Sequence, residues 1–98
     1  MPIGLSDTAV SYRGQNGSRF QFRCPAGNPA GVRLWGTGIY TDDSSICVAG
    51  IHAGAITASG GTVTIEIVAG QASYTASSQN GVDSIIYGSW TGSFRVVR

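Results

Sequence analysis

Reactive side chains are few in this sequence, and their types exclude most catalytic chemistry. There is no lysine, which removes the Schiff-base nucleophile, the pyridoxal phosphate anchor and the phosphate-cradling P-loop. Neither G-x-S-x-G nor G-x-G-x-x-G occurs. A Ser/His/Asp arrangement would need His52, the one histidine. That residue falls near the end of an apolar segment, where an imidazole bonded to backbone or to a nearby hydroxyl is the expected state. Asp42 and Asp43 are adjacent, so their carboxylates point apart, and the D-x-D-x-D-G pattern of a calcium loop is absent. Cys24 and Cys47 with a single histidine lack the spacing of zinc sites. The expectation is a protein that is not an enzyme and holds no cofactor and no metal.

The arginines offer binding instead. Arg19 and Arg23 lie four positions apart on what reads as one strand face, about 13 Å from each other, and Arg33 is expected to join them from a neighbouring strand. Guanidinium groups set this way hold phosphates or sulfates bidentately. The matching partner is an anionic glycan or a glycolipid such as lipopolysaccharide. Against this stands the simpler reading that the arginines solubilise a strand face. Tyr40, with Tyr74 and Tyr87, is a candidate sugar-stacking residue, or else core. Six arginines against five acids leave a net charge of +1, too little for general nucleic-acid binding. Charged residues make up 11% of the chain, against about 25% in an average globular domain. A surface this neutral is compatible with a protein partner or with self-association.

These side chains must be positioned by a small number of elements. Arg19 to Arg23 alternates, with Phe20 and Phe22 on one side and Arg19, Gln21 and Arg23 on the other, as a half-buried strand does. Two prolines and two glycines in CPAGNPAG break it, and Val32 to Trp35 is expected to resume as a strand that leads by a turn into Ile39 and Tyr40. From Ser44 to Ile65 no charge occurs. The first part of that gap reads as one buried helix, capped by Asp43 or Ser44, helped by the charge of Asp42 and Asp43 near its start, and stopped by Gly54. Small residues at Ala49, Gly50 and Ala53 allow a sheet to come close. Thr62 to Val68 is the strongest strand, with Val63, Ile65 and Ile67 inward, and should lie at or near the centre of the sheet. Ala55 and Ile56 should form a short extended piece. Ser84 to Tyr87 and Trp90 to Val97 complete the sheet, with Trp90, Phe94 and Val96 on one face. Asn16-Gly17-Ser18 fits a glycosylation acceptor, but Asn-Gly is also a common hairpin turn.

The run YTDDSSIC followed by AGIHAG, with WGTGIY before it and GGTVTI, NGVDS and YGSWTGSF after it, resembles the LCCL domain. That module is found in extracellular animal proteins and also in bacterial ones. The resemblance spans roughly Arg13 to Arg98 and implies a compact sheet wrapped around one helix, while leaving the ligand open. The family usually carries four cysteines in two bridges. Here Asn28 stands where many members have a further cysteine, so one bridge is missing. A Cys24 to Cys47 bridge is the favoured pairing, and it would stabilise by about 3 kcal/mol for a loop of this length. Two buried free thiols are the alternative.

The fold class that follows is α+β, a twisted and mostly antiparallel sheet around one central helix, in a single domain with residues 1–16 as an extended arm and 17–98 as the core. No secretory signal is read in MPIGLSDTAVSYRGQ. The uncharged gap is interrupted by His52, by serines and threonines, and by Gly60-Gly61, so no membrane span is expected. Two functions fit. One is a non-catalytic recognition module at an extracellular, cell or virion surface, excised from a longer secreted protein. The other is a structural subunit or decoration domain of a surface assembly or virion.

Overall fold

The computed structural model describes all 98 residues. Five strands form one antiparallel sheet: β1 (Arg19–Cys24), β2 (Gly36–Thr37), β3 (Ile39–Thr41), β4 (Gly61–Ala69) and β7 (Gly92–Val97), in the order β1-β4-β7-β3-β2. A separate hairpin joins β5 (Ser78–Gln79) to β6 (Val82–Asp83) across Asn80-Gly81. The one α-helix, α1 (Ile46–His52), lies between β3 and β4 in sequence. No helix is long and apolar enough to cross a membrane.

The alternation in β4 places Val63, Ile65 and Ile67 in the core and Thr62, Thr64 and Glu66 on the far face. Flanked on both sides by β1 and β7, this strand is interior to the sheet. All seven residues of α1 are buried. A helix of two turns has no stability of its own in water, so enclosure holds it. Gly50 makes that enclosure tight, because a Cβ there would run into the methyl groups of Val63.

Helix entry differs from expectation by one or two residues. The cap is Ser45, whose Oγ accepts the Val48 amide at 3.1 Å. Neither Asp43 nor Ser44 caps. The Ser44 hydroxyl is occupied by the Trp35 amide at 2.9 Å and by Thr41 at 2.8 Å, which ties the turn after β3 to the loop before β2. The exit follows the glycine rule. Gly54, at φ +82°, lets its own amide reach the Ile51 carbonyl and the Ala55 amide reach Gly50. The Asn80 amide and the Arg98 guanidinium donate to the last carbonyls, of His52 and Ala53.

The Cys24–Cys47 disulfide is present, with a Cα–Cα distance of 5.7 Å. It pins the end of β1 to the first turn of α1.

Three expected extended segments are not strands. Val32 to Trp35 is irregular: the Arg33 carbonyl accepts from Ser45 at the helix entry and the Leu34 carbonyl from Ile85, so its backbone groups serve loops rather than a ladder. Ser84 to Tyr87 makes only isolated bridges, Ile85 to Trp35 and Tyr87 to Tyr74. Ala55 and Ile56 fold back onto the helix end through Gly50. Trp90 also lies outside β7, apart from Phe94 and Val96. Residues 1–16, expected as an extended arm, include a short 3-10 turn (Val10–Tyr12). They dock closely, with Ala9 fully buried and Tyr12 stacked on Phe20 at 4.3 Å between ring centroids.

Candidate functional site

The antiparallel register sets three charges side by side on the face of the sheet turned away from the helix. Arg19 of β1 lies opposite Glu66 of β4, and Glu66 opposite Arg95 of β7. One carboxylate serves both guanidinium groups, at 2.9 Å to Arg19 and 3.1 Å to Arg95. Hydrogen bonds from Arg19 and then from Arg95 hold the Glu66 carboxyl below the ordinary carboxylate range. Arg23, at the end of the same face, is exposed and in no ion pair, with Thr62 as its cross-strand neighbour. This face therefore carries three arginines against one acid, while the remainder of the chain carries three arginines against four. The positive surplus of the protein is concentrated here.

The other residues named with Arg19 and Arg23 lie elsewhere. Arg33 is exposed on the loop over the helix entry, and the strand beside β1 is β4, so Arg33 is not part of this face. Tyr40 is fully buried and is not a sugar-stacking surface. Its hydroxyl lies 2.8 Å from Nδ1 of His52, itself fully buried, and Nε2 of that ring faces Ser77 at 3.2 Å. With the Tyr40 hydroxyl donating to Nδ1, Nε2 carries the proton and donates to Ser77. Burial pushes the Tyr40 phenol above its ordinary value. The pair fixes α1 to β3 and has no access to a substrate.

A second surface was not legible as a site in the sequence. Asp42, expected to act near the helix start, instead accepts Nε and Nη2 of Arg13 at 2.7 and 2.8 Å and the Trp90 indole N–H at 2.8 Å. Burial pushes its carboxyl up, but the hydrogen bonds from Arg13 and Trp90 outweigh this and hold it below the ordinary range. Arg13 lies over the Trp90 ring, and Tyr87 links Trp90 to Trp35 edge to face. Beside these rings Ile85, Ile86 and Tyr87 are 49, 71 and 41% exposed. Three consecutive exposed apolar residues are unusual outside a contact surface. The only trace of this in the sequence is that the run does not alternate.

Comparison with known proteins identifies the family. The family model of the LCCL domain matches residues 5–94. Mouse vitrin is 42% identical over 78 residues, 79% of this chain and 12% of its own length. Human cochlin is 36% identical over 76 residues, 76% of this chain and 14% of its own length. The mouse cysteine-rich secretory protein LCCL domain-containing 1 is 48% identical over 61 residues, 62% of this chain and 12% of its own length. The chain thus spans a small part of the relatives it matches. It belongs to the LCCL domain family.

Proposed function

We propose that this domain is a non-catalytic extracellular recognition module, and that the sheet face bearing Arg19, Arg23 and Arg95 takes anionic groups of a glycan or glycolipid. The observation that carries this reading is the arginine surplus on a sheet face whose other side chains are mainly Thr, Val and Gln. Arg23 has no acid to displace, and Arg19 and Arg95 share a carboxylate that already satisfies each only in part. Sulfate or phosphate oxygens accept from such guanidinium groups two at a time. An extracellular setting is supported by the disulfide, which persists in oxidising compartments, and by the secretory description of one relative.

The test is calorimetric titration with heparin fragments and with lipopolysaccharide at rising salt. Binding should weaken steeply with salt, since exposed charges are screened over about 8 Å at physiological ionic strength. Arg19→Gln with Arg23→Gln should abolish it at an unchanged melting temperature. A double variant that binds as well as the parent overturns the reading.

The exposed run Ile85 to Tyr87 favours a second reading, contact with a protein partner or with a second copy in a surface assembly. Self-association that persists at high salt and is lost in Ile86→Asp would support it, because apolar burial is not screened.

A further inference from the structure

We infer that the cleft between Arg33 and Asp43 binds a small zwitterion carrying an ammonium group and an oxyanion, as an α-amino acid or a phosphoethanolamine headgroup does. The inference is independent of the arginine face described above.

Three segments build the cleft. Ser6 and Thr8 come from the N-terminal segment, Val32 and Arg33 from the loop before β2, and Asp43 and Ser45 from the helix entry. Its volume, about 410 Å³, is in the range of about 300–1,000 Å³ typical of small-molecule sites. The walls are tied together: the Ser45 amide donates to the Arg33 carbonyl at 3.0 Å, the Ser45 hydroxyl to the Leu5 carbonyl at 2.6 Å, and the Ile46 amide to the Asp7 carbonyl at 3.1 Å. Val32 is the one apolar residue in the lining, so a hydrophilic ligand fits.

The charges narrow the class. Arg33 and Asp43 both line the cleft, yet neither is in an ion pair with the other or with any other residue. Oδ1 of Asp43 is buried without a hydrogen-bond partner. Arg13 is near enough to feel the charge of Asp43, but its Nε and Nη2 are engaged by Asp42. Oδ2 of Asp7, the other acid nearby, accepts the Gly4 amide. Oδ2 of Asp43 makes no hydrogen bond either and is the oxygen open to a ligand in the cleft, where a charged donor compensates the carboxylate best. An ammonium supplies three N–H groups to Asp43, while an oxyanion on the same molecule takes the fork of Arg33. A neutral sugar would leave both charges uncompensated.

The experiment is an amide chemical-shift titration of the ¹⁵N-labelled domain with phosphoethanolamine and with glycine. Ethanolamine, inorganic phosphate, phosphocholine and glucose serve as controls. The zwitterions should move the amides of Gly31 to Arg33 and of Asp43 to Ser45, and each single-charge half should bind about tenfold or more weakly. Phosphocholine, which has no ammonium N–H, should fall behind phosphoethanolamine. Asp43→Asn and Arg33→Gln should each lose about tenfold or more, whereas the Arg19→Gln, Arg23→Gln variant should bind like the parent. Vesicles of phosphatidylethanolamine against phosphatidylcholine separate a lipid source from a soluble one: recruitment to the first alone assigns a headgroup, and recruitment to neither assigns a free zwitterion. Glucose binding as well as glycine, or zwitterions that leave these amides unmoved, overturns the inference. If Asp43→Asn does not fold, the exposed Arg33→Gln decides, and unchanged binding in that variant is equally fatal.

Discussion

Asp42 and Glu66 each gather two donor side chains, and they do so in opposite surroundings. Asp42, 1% exposed in its side chain, is closed in by Arg13 and by the Trp90 indole, and Gly92 leaves it room, since any Cβ there would strike its carboxylate. Glu66, on the open sheet face, holds two arginines that are 54 and 39% exposed. The Asp42 bonds are the shorter, and water reaches them only from the side of Arg13, whereas at Glu66 it competes for both arginines. A buried pair is costly to break and an exposed one is nearly neutral. The first is therefore architecture, fastening the N-terminal segment and the loop before β7 to the turn after β3. The second is an exposed cluster that contributes little to stability and stays open to solvent.

The largest expected effect is from removing the buried acid. Asp42→Ala should destabilise by about 3 kcal/mol, the low end for a broken buried pair because Arg13 is part exposed and can turn to water. Urea unfolding monitored by circular dichroism measures it, and a variant as stable as the parent would erase the contrast. Acid sensitivity should follow the same division. The Asp42 carboxyl is held below the ordinary range in the folded state, so its contribution is fully present above the unfolded value of about 3.9. It is lost as pH falls through the lower folded value, where the unfolded chain binds the extra proton. Asp42→Asn should thus flatten the acid limb of a stability–pH curve, and Glu66→Gln, whose lowered carboxyl sits among exposed and screened charges, should flatten it less. The smallest stability effect is from Glu66→Gln at neutral pH, with a melting temperature close to the parent's. Its signature is functional: freed of their shared carboxylate, Arg19 and Arg95 should bind heparin fragments more tightly than in the parent.

What the sequence revealed follows the reach of its signals. Val63, Ile65 and Ile67 declare their strand by period alone, and the capped, glycine-ended apolar run declares the helix, because both patterns are local. The sequence does not show which of two adjacent aspartates is buried. Arg13 lies 29 positions from Asp42 and Trp90 lies 48, and only the folded chain brings them together. Arg33 would join Arg19 only if Val32 to Trp35 formed a strand. Pro25 and Pro29 precede it, and the partners that take its carbonyls, Ser45 and Ile85, are distant in sequence. The arginine row became legible only with the β1-β4-β7 order, since Arg95 is not near Arg19 in any local reading.

The sheet has two free borders, and they are closed by different means. Along β1, the alternation of antiparallel hydrogen bonds turns the backbone groups of Arg19, Gln21 and Arg23 outward, but those of Arg23 are taken by Met1 and Ile3, and the side chains left beside the open stretch, of Arg19 and Gln21, are charged or polar. At the opposite border β2 is two residues long, and the amide of Gly36 is occupied by Ile85. Short, charged or covered borders are what keep β-proteins from joining strand to strand. A domain with so few charges thus has little to template ordered aggregation, and crowding at high concentration should bring copies together through side chains rather than by extending the sheet.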